Sequence, residues 1–252
     1  MFRLSHYMRE LVQPTPLGPQ RRPSGPVVIW NLTRRCNLTC KHCYALAADG
    51  HFPGELTTEQ AFAVLDDLKA FRVPALILSG GEPLLRPDIV AITRRAKELG
   101  FYLTLSTNGT MIDAPMAEQV AAAGYDYVGI SLDGIAATHD HFRRQEGAFA
   151  ASLEALRLLR DRDVRVGVRF TLTQDNAHDL PALLDLVEQE RIGKFYLSHL
   201  NYAGRGNNNR RDDAFLATTR QAMDLLFDSC LRHVRRGLAT DFVTGNNDAD
   251  GV

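Results

Sequence analysis

Val27-Val28-Ile29-Trp30-Asn31-Leu32-Thr33-Arg34-Arg35-Cys36-Asn37-Leu38-Thr39-Cys40-Lys41-His42-Cys43-Tyr44 decides how this chain is read. The apolar, β-favouring run Val27–Leu32 hands directly to a loop whose cysteines are spaced Cys36-x3-Cys40-x2-Cys43. Three thiolates can hold three irons of a 4Fe–4S cluster, where electron-transfer clusters use four. The fourth iron is then open to a small ligand, and an open site implies chemistry. A zinc site would need a fourth protein ligand, for which His42 or His51 is at hand. The spacing alone leaves both readings open.

The next strand decides between them. Ala75-Leu76-Ile77-Leu78-Ser79 runs into Gly80-Gly81-Glu82-Pro83. Two glycines let the backbone approach a ligand closely and take torsions barred to other residues. Cys-x3-Cys-x2-Cys-aromatic followed by Gly-Gly-Glu-Pro resembles the signature of the radical S-adenosylmethionine (SAM) enzymes. The resemblance implies that the open iron chelates the amino and carboxylate groups of SAM. An electron from the cluster then cleaves SAM to methionine and a 5′-deoxyadenosyl radical. The implied cofactors are a 4Fe–4S cluster on Cys36, Cys40 and Cys43, and SAM against Gly80, Gly81, Glu82 and Pro83. Tyr44 is expected to pack against SAM's adenine region or the cluster.

Beyond this stretch, strands and helices alternate. A helix begins at the capping box Thr57-x-x-Gln60 and carries Phe62, Leu65 and Leu68. Another places Ile89, Ile92, Ala96 and Leu99 on one face and closes at Gly100. Strands are expected at Phe101–Ser106, Tyr125–Leu132, Val164–Leu172 and Phe195–Leu200. Helices are expected at Asp113–Gly124, through Phe149, Leu153, Leu156 and Leu159, from Asp179, and over Ala214–Arg235. Six β/α units in a row argue for an α/β fold with a parallel sheet and helices outside. The resemblance makes it a partial (β/α)6 TIM-like barrel of the radical SAM type. In parallel barrels the chemistry gathers at the C-terminal ends of the strands.

Reading those ends gives the remaining candidates. The third strand ends Leu105-Ser106-Thr107-Asn108-Gly109, with Asn108 a candidate ligand. The fourth ends Ile130-Ser131-Leu132-Asp133-Gly134, and Arg143 lies twelve residues beyond Ser131. In the branch of the family with a second C-terminal cluster region, the resemblance implies that a serine here touches SAM. It also implies that an arginine at this distance pairs with SAM's carboxylate, a charge-assisted contact. Asp133 is carried with them as a cofactor-binding candidate. The fifth strand adds Arg169 and Thr171.

Composition agrees with one substantial enzyme domain: 252 residues, 45% hydrophobic, net charge −1. No global field advertises nucleic acid, and no apolar run approaches a membrane span, so neither is an expected partner. The opening residues lack a signal-peptide h-region. Four cysteines, three of them clustered, are no disulfide framework. Free thiolates and reduced iron suit a reducing compartment, so the expected location is cytoplasmic. Cys230 falls in line with Thr219, Met223, Leu226 and Val234 as a core thiol, and His6, His178 and His233 read as surface or packing residues. Residues 1–26 read as a short amphipathic helix (Leu4, Met8, Leu11, Val12) and a stiff connector, Pro14-Thr15-Pro16-Leu17-Gly18-Pro19. The helix is expected to dock on the barrel's outside or open end.

The phrases Ser5–Leu11, Cys36–Tyr44, Leu76–Ile89 and Lys194–Gly206 bring the resemblance closer, to the NirJ-type radical SAM enzymes of haem d1 biosynthesis. That branch implies an oxidoreductase or lyase removing propionate side chains from didecarboxysirohaem, supplied with electrons by a donor such as flavodoxin or ferredoxin. A carboxylate-studded tetrapyrrole would suit the arginine-bearing loop Asn201–Arg211. His42 and His199 are candidates to approach its iron. A peptide-modifying radical SAM enzyme and a non-catalytic iron–sulfur module remain the alternatives. The expected core spans residues 27–236. Residues 237–252 read as a tail that stops before the cysteine-rich second-cluster region of that branch.

Overall fold

The computed structural model describes residues 2–14 and 25–245. Thr15–Pro19 of the connector and the closing Asn246–Val252 lie outside the described residues. Seven strands are present among the described residues: β1 (Val27–Asn31), β2 (Ala75–Ser79), β3 (Tyr102–Thr107), β4 (Tyr127–Ser131), β5 (Val166–Leu172), β6 (Lys194–His199) and β7 (Asp241–Gly245). They form one sheet in the order β1-β2-β3-β4-β5-β6-β7, every neighbouring pair parallel. Sequential order with all-parallel pairing is what repeated strand–helix crossovers of one hand produce. The result is a curled partial barrel.

The crossover helices are α2 (Thr58–Ala70), α3 (Ile89–Glu98), α4 (Ala114–Ala123), α6 (Ala148–Arg160), α7 (Leu180–Gln189) and α9 (Leu216–Arg235). The foreseen capping box closes both ways: Gln60 N donates to Thr57 Oγ1 at 3.3 Å and Thr57 N to Gln60 Oε1 at 2.9 Å. Asp113 caps α4 by accepting from Met116 N at 2.9 Å, and Gly124 ends it in the left-handed region.

Alternation along the strands sorts the two faces. Leu76, Leu78, Leu103, Leu105, Val128, Ile130, Val168, Phe170, Phe195 and Leu197 are buried in the core. The intervening positions face the lumen, where Asn31, Ser79, Ser106, Ser131, Thr171 and Ser198 line a cavity. The lumen is open on the β1 side, where Val27 and Ile29 stay 59% and 57% exposed.

Three features depart from the expectation. The sheet has a seventh strand, because residues read as tail form β7 and pair with β6. Phe242 is buried at its centre, so packing rather than a long apolar run creates it. Two short helices, α5 (Ala137–Arg143) and α8 (Gly204–Asn208), occupy stretches expected to be loop.

The N-terminal helix α1 (Leu4–Val12) docks at the open end, on β7 and α9. Phe2 and Thr244 exchange two backbone hydrogen bonds of 2.9 Å, and Phe242 N donates to Ser5 Oγ at 2.7 Å. The β7 edge of the sheet is thereby covered. Cys230 is buried against Ser5, and His233 is buried with Nδ1 2.8 Å from Ser229 O.

Candidate active site

The residues between Thr33 and Gly54 form no helix or extended strand, so the cysteine loop is positioned by what it bonds to. Glu55 Oε1 accepts from Thr33 Oγ1 at 2.7 Å and from Arg34 N at 2.8 Å. Arg86 Nη1 donates to Leu32 O at 3.0 Å and its Nη2 to Leu56 O at 2.7 Å, while Asp88 holds the guanidinium. From the end of β2, Gly81 N donates to Thr33 O at 2.6 Å and Glu82 N to Arg35 O at 2.8 Å.

The two glycines do their close work against protein. A Cβ on Gly80 would stand 2.6 Å from Thr33 O, and one on Gly81 would collide with Arg35 O. The close backbone approach expected toward a ligand is here an approach to the cysteine loop, although both glycines also line the cavity.

Later elements complete the brace. Lys41 N donates to Phe142 O on α5 at 3.0 Å, and Cys36 N to Ala48 O at 3.0 Å. Arg205 on α8 donates from Nε to Cys40 O at 2.8 Å and from Nη2 to Ala47 O at 2.9 Å, and Arg205 N donates to Cys43 O at 2.9 Å. The arginine-bearing loop was expected to meet carboxylates. Arg205 is instead committed to backbone carbonyls of the cysteine loop.

Behind the thiols lies a buried charged network. Asp133 is fully buried, and its Oδ2 pairs with Arg143 Nη2. Thr171 N donates to Asp133 Oδ1 at 2.8 Å, and Asn176 Nδ2 to Asp133 O at 3.0 Å. Burial alone would raise the Asp133 carboxyl, but Arg143 and the nearby imidazoles hold it below its ordinary value. Burial likewise works against the charge on Arg143, yet Asp133 keeps it protonated. Arg143 Nη1 also points at Cys40 Sγ, 3.6 Å away.

His42 stacks on Phe142 with ring centroids 4.6 Å apart, and burial lowers it to about 4. Burial lowers His139 to about 3, and its Nδ1 accepts from Asp133 N at 2.9 Å, which requires that nitrogen unprotonated. Glu82 is fully buried; burial raises it to about 7, against hydrogen bonds from Asn108 N, Thr107 Oγ1 and Leu84 N.

One cavity of about 430 Å³ gathers most of the expected residues: Cys36, Cys40, Cys43, Tyr44, Gly80, Gly81, Asn108, Ser131 and Arg143 line it. Tyr44 reaches across it, its hydroxyl donating to Asn31 Oδ1 at 3.0 Å. Asn108 Nδ2 donates to Asn37 Oδ1 at 3.0 Å. His42, Arg169, Thr171 and His199 also line the cavity.

Three expected ligand residues do not line it. Glu82 and Pro83 are buried under the β2 turn, and Asp133 is the counter-ion of Arg143. Arg143 was expected to have its guanidinium available for SAM. It already carries an acidic partner, and α5 ends on it. The sequence reading missed Arg86, Glu55 and Asn176, and it gave Arg205 to the substrate instead of the cysteine loop. For Arg86 a signal existed in the Arg-Pro-Asp run, with the acid placed two residues on.

The donor set fits a cluster better than a single ion. All four cysteines are free, and three face one cavity. Among the described residues, no three His, Cys, Asp or Glu side chains gather around one metal-ion position. Of the alternative fourth ligands, His51 lies in a separate surface groove with Arg35 and Asp49, while His42 shares the cavity with its Nε2 3.9 Å from Asp133 Oδ2. Burial pushes the Cys36 thiol up to about 12, so bound iron would be what draws off its proton. Leu38 N donates to Cys36 Sγ at 3.4 Å, so two of the three sulfurs already have donors directed at them.

Comparison with known proteins agrees with this arrangement. The Radical SAM superfamily profile matches residues 30–187. The chain is 56% identical over 253 residues to the Pre-heme d1 synthase of Dinoroseobacter shibae, covering 100% of this chain and 63% of that protein. It is 44% identical over 226 residues to the Fe-coproporphyrin III synthase of Methanosarcina barkeri, covering 90% of this chain and 57% of that one. The chain therefore spans about three-fifths of the length of these curated relatives. Streptococcus suis SuiB, solved bound to S-adenosylmethionine, superposes with a TM-score of 0.74 at 18% identity, over 89% of this chain and 52% of that one. That last likeness is one of fold.

Proposed function

This chain belongs to the radical SAM superfamily, and on that footing we propose that it carries the SAM-cleaving core of an enzyme of haem d1 biosynthesis. Its substrate would be a carboxylated tetrapyrrole, didecarboxysirohaem, from which propionate side chains are removed. The observation that carries the reading is the single polar cavity in which three free thiols meet Gly80, Gly81, Asn108 and Ser131. Identity to a Pre-heme d1 synthase over the whole chain supports the substrate class.

Cys36, Cys40 and Cys43 would hold a 4Fe–4S cluster. When bound, the cluster supplies an open iron for SAM and the electron for its reductive cleavage. The chain's own residues do the rest. Leu38 N and Arg143 Nη1 offer hydrogen bonds to the sulfurs of Cys36 and Cys40, which stabilise thiolate charge. Ser131, Asn108 and the Gly80–Gly81 turn line the same cavity, where they would offer hydrogen-bonding groups to SAM. Tyr44, fixed by Asn31, flanks them. Asp133 offsets the charge of Arg143, so that wall of the cavity is polar without being strongly cationic. The lumen hydroxyls of Ser79, Ser106 and Ser198 extend that polar lining toward the substrate side.

No helix among the described residues is long and apolar enough to cross a membrane. Four free cysteines and an oxygen-sensitive cofactor support a reducing, cytoplasmic setting, with flavodoxin or ferredoxin as donor. The test is anaerobic reconstitution with iron and sulfide, then measurement of 5′-deoxyadenosine with and without didecarboxysirohaem. Formation of deoxyadenosine that rises with the tetrapyrrole supports the reading. Stoichiometric zinc without acid-labile sulfide refutes the cluster, and stimulation by a peptide alone refutes the substrate.

A further inference from the structure

Arg169 stands on β5 with its side chain in the lumen, lining the cavity. Room for it is built in. A Cβ on Gly129 of neighbouring β4 would lie 2.9 Å from Arg169 Cδ, so any other residue there would displace the side chain. Arg169 Nη1 donates to Ser106 Oγ on β3 at 2.7 Å, and its guanidinium carbon lies 5.3 Å from the centroid of the Tyr196 ring on β6. These contacts hold the guanidinium plane across three strands.

None of them is acidic. Arg143, the other guanidinium on the cavity wall, is neutralised by Asp133. Among the described residues no carboxylate pairs with Arg169, and its bond to Ser106 uses one of its five N–H donors. A half-buried, oriented guanidinium that faces a cavity and has no acidic partner among the described residues is matched by a planar anion that can take two parallel hydrogen bonds. Its neighbours in register, Ser131 on β4 and Tyr196 on β6, and its partner Ser106 on β3 are neutral hydroxyl-bearing groups.

We propose that Arg169 anchors one carboxylate of the tetrapyrrole substrate. This rests on the tetrapyrrole reading above and goes beyond it by assigning the residue that recognises the substrate's charge. Carboxylate is the shared chemistry of two ligands here, because SAM also carries one. The thiols that would hold the cluster, and with it SAM's carboxylate, come from the loop after β1, while Arg169 stands on β5 and is fixed between Ser106 of β3 and Tyr196 of β6.

The test uses the whole chain, reconstituted anaerobically, with didecarboxysirohaem and its methyl ester titrated in the absence of turnover. Arg169→Gln should weaken binding of the free acid at least tenfold while leaving the ester unchanged. Arg169→Lys, which keeps the charge and loses the fork, should fall between. SAM affinity by equilibrium dialysis, iron content and melting temperature should match the unaltered protein. Equal loss for acid and ester, loss of SAM affinity instead, or no loss at all would each overturn the assignment. If the unaltered chain binds no tetrapyrrole, the substrate reading falls and the anchor falls with it. If it binds and Arg169→Gln binds equally, the anchor alone is refuted.

Discussion

Replacing Arg205 by alanine should loosen the cysteine loop without touching a thiol. Its guanidinium supplies two charge-assisted hydrogen bonds to backbone carbonyls, 2.8 Å to Cys40 O and 2.9 Å to Ala47 O. Such bonds contribute roughly 1.5–3 kcal/mol each when buried. Arg205 is half-buried, so water replaces part of what is lost, and a net cost of about 1.5–3 kcal/mol for both is the reasonable figure. Each 1.4 kcal/mol is about tenfold, so local opening should become roughly ten- to a hundredfold more frequent. Two amides report it: Cys36 N, bonded to Ala48 O at 3.0 Å, and Lys41 N, bonded to Phe142 O at 3.0 Å. Native-state hydrogen exchange of the apo protein should show both accelerated by that factor, with amides of β3 and β4 unchanged. Reconstituted iron should also be lost faster on gel filtration. Unchanged protection of Cys36 and Lys41 in Arg205→Ala would refute the brace. Slowed exchange restored by Arg205→Lys would show that one carbonyl contact suffices.

Alanine at Cys36, Cys40 or Cys43 should abolish the broad visible absorption of the cluster and acid-labile sulfide, whereas Cys230→Ala, buried beside Ser5, should keep both; iron and sulfide analysis decides. Arg143→Ala strands a fully buried carboxylate and should cost about 3–5 kcal/mol in denaturant unfolding. Adding Asp133→Asn should recover part of that loss, and no recovery would mean the pair is not the unit. Asp126 is half-buried; burial opposes its charge, but Lys97 Nζ at 2.6 Å and Leu103 N at 2.7 Å hold its carboxyl below the ordinary 3.8. Its stabilisation is therefore fully present above pH 3.8 and lost as pH falls through the depressed value, so Asp126→Asn should flatten the acid limb of a stability–pH curve.

How much of this was legible depended on whether the signal was local. β2 was readable to the residue because Pro74 and Gly80 bound a pure apolar run, and α2 because Thr57 and Gln60 satisfy each other across one turn. Helix α5 was not. It starts after Ala136 at φ +44 and ends at Arg144 at φ +56, with no side-chain cap at its start. What holds it is the burial of His139, Phe142 and Arg143 against the site, which is tertiary information. The seventh strand was missed for the same reason: five residues with Phe242 buried between α1 and β6 carry no pattern of their own. The family resemblance, with the spacing from Ser131, singles out Arg143, yet its acidic partner Asp133 is named there only as a separate ligand. Sequence spacing says which residues arrive at a strand end and not which of them meet there.

The site divides along the same line. Of the groups that would touch cofactors, the three cysteines advertise themselves, because clustered thiols at this spacing have few other uses. The groups that hold the cysteine loop in place act on backbone carbonyls: Gly81 N on Thr33 O, Glu82 N on Arg35 O, and Arg205 on Cys40 O and Ala47 O. A carbonyl is the same acceptor whatever side chain it carries, so the receiving end of such a brace leaves no mark in the sequence. Its donors come from the loops after β2 and β6, with a matching acceptor, Phe142 O, from the helix after β4. These are alternate strands of the sheet, and their C-terminal ends face the same mouth. A loop without secondary structure of its own is thus tied at three separated points of a rigid sheet. That arrangement allows thiols on an irregular segment to be held at fixed positions before any metal arrives.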